Sequence, residues 1–126
     1  MELNLSKLGV NELNPMQELM LSEYPTHRHI VLLSPTGSGK TLAYLLPLLQ
    51  TIDSSSDALQ ALIVVPSREL AIQTQQVMRE LSSTLRSYAC YGGRPTMDEH
   101  RVIRSLLPHV IVGTPGRILD HFNKEN

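Results

Sequence analysis

The chain has 126 residues, of which 41% are hydrophobic and 18% are charged; this length and composition predict one soluble globular domain and exclude a mainly disordered chain. No apolar run approaches the ~18 residues that a membrane-spanning helix needs, no secretory signal is recognisable, and the net charge of −1 gives no argument for nucleic-acid binding. The single cysteine, Cys90, excludes an internal disulfide and a cysteine-based zinc site, so we expect a cytoplasmic protein without a membrane partner.

Short apolar runs follow an N-terminal helical segment and alternate with longer helical patterns. Runs that end at proline or glycine predict strands over 29–34, 60–65, 88–91 and 109–112. Because these strands are separated by helical segments, the order predicts an α/β fold. We expect a mostly parallel sheet covered by helices on both faces.

The helices are predicted from the spacing of apolar residues and from capping signals. Apolar residues at helical spacing predict helices over 39–52, 67–86 and 116–124. Another helix is predicted to start at a capping box over 96–99 and to turn three apolar side chains inward, namely Ile103, Leu106 and Leu107.

The strongest local signal is the sequence SPTGSGKT at 34–41, between a predicted buried strand and a predicted helix. Its small residues let successive backbone N–H groups point at one anion, and the helix start adds partial positive charge. Lys40 can reach the β- and γ-phosphates of a nucleotide, and the Thr41 hydroxyl can ligate Mg²⁺. Ser34 replaces the usual first glycine and is small enough to keep the turn. The element predicts a nucleoside triphosphate site but does not specify the reaction.

Further motifs before and after the phosphate loop narrow the choice of family. They are a Q-motif region at 9–17, PSRELA at 66–71, a double glycine at 92–93 and TPGR at 114–117. Together and in this order, they resemble the first RecA-like domain of the DEAD-box RNA helicases over essentially the whole chain. The resemblance implies that residues 1–126 are a partial, N-terminal RecA-like P-loop domain of an ATP-dependent RNA helicase.

The resemblance also implies ATP and Mg²⁺ as cofactors, with Lys40 and Thr41 as catalytic groups and Thr41 reaching the metal at the nucleotide. Gln17 would read adenine, because a carboxamide offers one donor and one acceptor to adenine N6 and N7. The sequence from Asn14 to Gln17 also fits a capping box, and both roles are compatible. The remaining nucleotide-binding positions are those of the phosphate loop: Ser34, Pro35, Thr36, Gly37, Ser38, Gly39, Lys40 and Thr41.

By the same resemblance, RNA is the partner, held through its backbone and independently of sequence. Helix starts, a glycine N–H, a threonine hydroxyl and arginines are groups that hold phosphates without reading bases. The positions implied are Arg68, Gly93, Thr114, Gly116 and Arg117.

The family's Asp-Glu-Ala-Asp motif, which would follow TPGR, does not occur in the 126 residues. We therefore expect these residues alone to bind nucleotide without turnover, since that motif and the arginine fingers of a second domain complete the site. Two alternatives stay open. One is another P-loop protein, such as a DNA-acting superfamily 2 helicase or a small-molecule kinase. The other is a non-catalytic nucleotide- or RNA-binding module.

The predicted strand over 29–34 has a further consequence. In the family, the strand that carries a Ser-Ala-Thr motif lies beside it and the strand that carries Asp-Glu-Ala-Asp lies next to that one, and neither motif occurs in the 126 residues. The strand over 29–34 would then expose unpaired backbone groups along an apolar run, which is a template for pairing with another chain. We expect the chain either to self-associate through this exposed sheet edge or to be only marginally stable as a monomer.

Overall fold

The computed structural model describes residues 3–9, 12–26, 29–33, 39–93 and 95–123. Three strands lie among them: β1 (Ala61–Val64), β2 (Ser87–Cys90) and β3 (Val110–Gly113). The α-helices are α1 (Pro15–Glu23), α2 (Lys40–Gln50), α3 (Arg68–Leu81), α4 (Thr96–Leu106) and α5 (Pro115–Asn123). Short 3₁₀ turns occur at Leu5–Leu8 and Tyr24–Thr26.

The strands form one parallel sheet in the order β1-β3-β2. Val64 of β1 and Cys90 of β2 both pair with Gly113 of β3. The carboxyl ends of all three strands are therefore level, and the segments that follow them leave the sheet at one edge. The predicted strands over 60–65, 88–91 and 109–112 are confirmed within one or two residues.

Burial on both faces of β3 explains why helices cover the sheet from two sides. Successive side chains of a strand point to opposite faces. Val110 and Val112 enter the larger core with residues of α2 and α3, among them Leu49 and Met78. Ile111 points the other way, into a smaller cluster with Tyr88, Cys90, Ile103 and Leu106. The predicted α/β layering is confirmed.

The predicted strand over 29–34 is wrong for the residues that the structure describes. Residues 29–33 pair with no described strand, and Val31 and Leu33 are 85% and 89% exposed. Ile30 and Leu32 line a cavity that Tyr44 also lines. An apolar run becomes a strand only when a neighbouring strand pairs with its backbone. The described strands are β1, β2 and β3, and none of them pairs with residues 29–33. Ser34 lies outside the described residues.

The helix predicted over 67–86 is confirmed but ends at Leu81. Its start is capped as its sequence suggests, because the Ser67 hydroxyl accepts from the Leu70 N–H at 3.2 Å. Ser82 follows the helix in an extended conformation. Leu85, in the loop after the helix, is nevertheless buried. The predictions over 39–52 and 116–124 are confirmed as α2 and α5.

The capping box predicted at 96–99 is wrong. Pro95 precedes the helix, Thr96 is its first residue, and no side chain caps it. Glu99 cannot reach back because its carboxylate lies 3.3 Å from Arg117 and 3.0 Å from His121. Leu107 was expected to face inward, but it ends α4 with a positive φ of 52° and is 43% exposed.

Strand β1 forms a lateral edge of the sheet, which is apolar and unpaired on its outer side in the described part of the chain. Leu62 and Val64 of β1 are about half exposed, and β1 has a described partner on one side only. None of the helices in the described ranges is long and apolar enough to cross a membrane.

Candidate functional site

The first turn of α2 is fixed by a contact with α1. Gly39 precedes α2 with a φ of 87°, a conformation that favours glycine. A Cβ at this position would lie 2.6 Å from Gln17 Nε2 and 3.1 Å from Asn14 Nδ2. Gln17 Nε2 also donates to the Gly39 carbonyl oxygen at 3.2 Å. The position therefore requires glycine both for its backbone and for the space that it leaves to α1.

Lys40 and Thr41 open the helix at the border of a cavity of about 620 Å³. The Ala43 N–H is bonded to the Gly39 carbonyl, so the N–H groups of residues 40–42 have no intrahelical acceptor. The arrangement suits an anion, because these donors lie at a helix start whose first residue is the cationic Lys40. The predicted positions Ser34, Pro35, Thr36, Gly37 and Ser38 lie outside the described residues.

The wall of this cavity is largely apolar, formed by Met20, Ile30, Leu32 and Leu70 beside Tyr44 and Gln73. Burial raises the pKa of the Tyr44 hydroxyl above its ordinary value. Tyr44 is neutral at pH 7, as an ordinary tyrosine is, so it adds no negative charge to the cavity.

Gln17 forms the capping box that its sequence predicts. The Asn14 Oδ1 accepts from the Gln17 N–H at 2.9 Å, and Gln17 Oε1 accepts from the Asn14 N–H at 3.0 Å. With the Gly39 contact, one amide hydrogen and one lone pair of the carboxamide are already used, and the residue is 5% exposed. Among the described residues, one hydrogen and one lone pair of the carboxamide have no partner, the number needed for adenine.

A second group of predicted residues meets at the carboxyl edge of the sheet. Arg68, in the first turn of α3, donates from Nη2 to the Gly92 carbonyl at 2.9 Å. Its guanidinium lies 5.5 Å from the centre of the Tyr91 ring, within cation–π range. Gly93 has a φ of 109°, and a Cβ there would approach Arg68 Nη2 to 3.1 Å. The fold thus joins the PSRELA and double-glycine motifs into one exposed cationic unit.

Tyr91 was missed by the sequence reasoning, although it precedes the double glycine directly. The Tyr91 ring packs against the Arg68 guanidinium and reduces the number of rotamers open to this long side chain. An aromatic residue beside two glycines at a strand end was the available signal.

The TPGR segment begins α5 next to the same edge. The Thr114 N–H donates to the Cys90 carbonyl at 3.1 Å, and the Thr114 carbonyl accepts from the Ile118 N–H at 3.0 Å. Gly116 is exposed, and a Cβ there would meet nothing within 4 Å. The α5 start therefore presents accessible backbone N–H groups on the side where Arg68 and Gly93 lie.

Arg117 differs from its neighbours because its side chain turns inward and is 11% exposed. Its Nη1 donates to the Thr96 hydroxyl at 2.9 Å and lies 3.3 Å from Glu99 Oε1. His121 Nε2 lies 3.0 Å from the same oxygen. This network joins α4 to α5. Sequence reasoning missed it because Glu99 was assigned to the capping box over 96–99 and His121 belongs to no recognised motif.

Comparison with known proteins gives consistent results over nearly the whole chain. The family model described as DEAD/DEAH box helicase matches residues 14–126. The ATP-dependent RNA helicase CshA of Listeria monocytogenes is 42% identical over 125 residues, which cover 96% of this chain and 24% of that protein. The chain spans about a quarter of the length of the curated relatives it matches first.

Solved structures agree with the fold. The crystal structure of a hypothetical ATP-dependent RNA helicase from Sulfolobus tokodaii has a TM-score of 0.81 and 28% identity, covering 96% of this chain and 35% of that one. Mss116p bound to ssRNA and AMP-PNP has a TM-score of 0.77 and 27% identity, covering 95% and 26%. The expected RecA-like architecture is confirmed, and the chain belongs to the DEAD/DEAH box helicase family.

Proposed function

We propose that this chain provides the nucleotide-binding and part of the RNA-binding surface of an ATP-dependent RNA helicase that unwinds or remodels RNA. The proposal rests on one observation, that the three parallel strands end at the same position along the sheet. This alignment delivers the segments after β1, β2 and β3 to one edge, where open α/β sheets bind their ligands. Family membership and the similarity to ATP-dependent RNA helicases support the same reaction class.

ATP with Mg²⁺ fits the start of α2. Lys40 would hold the β- and γ-phosphates, and the Thr41 hydroxyl would ligate the metal, which neutralises charge on the phosphates when bound. Gln17 would orient the base through its remaining hydrogen and lone pair. Its contact with Gly39 couples base and phosphate recognition, because one side chain touches both elements.

RNA would lie across the edge formed by Arg68, Gly93, Thr114 and Gly116. These positions offer a guanidinium, backbone N–H groups and a hydroxyl, all suited to phosphate oxygens. Arg117 would act differently, by holding α4 against the α5 start, since its guanidinium is already occupied by Thr96 and Glu99. Cytoplasmic location stays a prediction.

Of the alternatives, a small-molecule kinase loses its support because the family match covers residues 14–126. The absence of turnover by the 126 residues alone stays a prediction, since their sequence lacks Asp-Glu-Ala-Asp.

Nucleotide binding tests the α2 start directly. We expect ATP to bind more tightly than GTP in the presence of Mg²⁺, because Gln17 matches adenine. We expect Lys40→Ala to weaken ATP binding by about 10- to 100-fold, the loss expected for one charged hydrogen bond. Isothermal titration calorimetry measures both effects. Lys7→Ala, in the exposed turn at Leu5–Leu8, is the matched control and should bind as the parent does. Equal affinity for ATP and GTP would remove Gln17 from the adenine role.

RNA binding tests the carboxyl edge. We expect Arg68→Ala to weaken binding by a similar factor for every homopolymer RNA and to lower the slope of log K against log salt by ~0.7. Fluorescence anisotropy across a salt series provides the measurement. Arg79→Ala removes an exposed arginine from the far end of the same helix and should leave binding nearly unchanged. Equal losses for both variants would place the RNA elsewhere.

We also propose that the chain self-associates through its open apolar edge. The open edge is β1, whose Leu62 and Val64 are about half exposed, rather than a strand over 29–34. Light scattering should show an apparent mass that rises with concentration, and Val64→Lys should reduce the rise. Ile72→Lys, at an exposed apolar position of α3, is the control. A constant monomer mass contradicts the proposal.

A further inference from the structure

Behind the TPGR segment, three side chains with different ligand atoms meet inside the protein. Cys90 ends β2, Glu99 lies on α4 and His121 lies on α5. One sulfur, one carboxylate oxygen and one imidazole nitrogen of these residues all lie within 4.8 Å of one another. Each residue is more than nine-tenths buried, so the fold holds all three away from solvent.

The carboxylate of Glu99 is used on one side only. Its Oε1 lies 3.0 Å from His121 Nε2 and 3.3 Å from the Arg117 guanidinium. Its Oε2 is fully buried and has no hydrogen-bond partner among the described residues. A buried carboxylate oxygen without a partner is costly, and native structures nearly always provide one. The oxygen is therefore available to a ligand.

A cavity of about 120 Å³ adjoins the cluster and has an apolar lining. Cys90 and His121 form its polar wall, and the rest is lined by Leu59, Leu62, Ile103, Ile111, Ile118 and Phe122. A water molecule takes ~30 Å³ in the liquid. The space therefore allows entry of an ion together with one additional small ligand.

We propose that Cys90, Glu99 and His121 form a binding site for a zinc ion. Thiolate, imidazole and carboxylate are the ligand types that zinc takes in proteins, with bonds of ~2.0–2.3 Å. Such bonds place tetrahedral ligand atoms roughly 3.3–3.8 Å apart. Side-chain rotations that move the ligand atoms by about an ångström bring them from their present separations to these distances. The fourth position faces the cavity and is left for water or another small ligand.

The charges and the surrounding contacts define how the ion is held. Zinc replaces the thiol proton of Cys90, so the Cys90 S–H bond breaks, a Zn–S bond forms and one proton is released to solvent. His121 gives up the 3.0 Å contact of its Nε2 with Glu99 Oε1 and binds through Nε2 with its proton on Nδ1, and Glu99 binds through Oε2. Arg117 stays on Oε1 and is itself held by the Thr96 hydroxyl, which orients the carboxylate from outside the ligand set.

A single cysteine cannot supply the pairs or quartets of thiolates that hold zinc in cysteine-based sites. In this fold, a glutamate from α4 and a histidine from α5 lie beside the cysteine at the end of β2 and supply the other ligands. The ion would link β2, α4 and α5, the elements that flank the double-glycine and TPGR segments. This inference does not depend on the proposed helicase function.

Cobalt(II) titration of the 126-residue chain tests the site, because Co²⁺ takes tetrahedral zinc positions and absorbs light. We expect one equivalent to produce a thiolate-to-cobalt charge-transfer band and the visible bands of a tetrahedral ion, and Zn²⁺ to remove both. Cys90 is the only cysteine, so the charge-transfer band identifies its sulfur. Its absence at excess Co²⁺ in the folded chain overturns the proposal.

Variants assign the other ligands. Cys90→Ala should abolish the charge-transfer band, and Glu99→Gln and His121→Gln should each weaken cobalt binding by at least ~10-fold. His100→Gln changes the neighbour of Glu99 on α4 and should bind as the parent does. Circular dichroism establishes whether each variant is folded. If a variant does not fold, the charge-transfer band of the parent chain remains the test of the proposal. Unchanged affinity in folded Glu99→Gln and His121→Gln contradicts the ligand set.

Discussion

Parallel pairing of β3 with both β1 and β2 is the constraint on which the site depends. Gly113 is level with Val64 on one side and with Cys90 on the other, so three separate segments of sequence emerge at one edge. A shift of one residue in either pairing would turn the side chains of that strand to the opposite face. The alternation of Val110, Ile111 and Val112 between two buried clusters opposes such a shift.

Glycine makes the close contacts at this edge possible. Gly39 lets the Gln17 carboxamide reach the start of α2, and Gly93 leaves space for the guanidinium of Arg68. Both have positive φ values, so another residue would add backbone strain as well as a collision. Gly113 is equally crowded, since a Cβ there would lie 2.9 Å from the Cys90 carbonyl. Sheet pairing and both proposed binding positions, for nucleotide and for RNA, thus rest on close backbone approaches.

Sequence reasoning succeeded where one short segment contains all the information. The Asn14 to Gln17 capping box, the strands ending at Pro66 and Gly113 and the TPGR helix start follow from local residue chemistry. It failed where the outcome depends on distant partners. Residues 29–33 are apolar enough for a strand but have no described neighbour to pair with, and Glu99 was drawn from its expected cap by Arg117 and His121, 18 and 22 positions along the chain. The Arg68–Tyr91 contact likewise joins two segments.

The central claim is that RNA binds the edge formed by the ends of β1, β2 and β3. Chemical-shift mapping of the ¹⁵N-labelled chain with a single-stranded oligonucleotide RNA tests it most directly. The account predicts that the largest amide shifts fall in 66–68, 91–93 and 114–117, three segments far apart in sequence. Shifts concentrated at the opposite edge of the sheet, around 58–60 and 107–109, would contradict it.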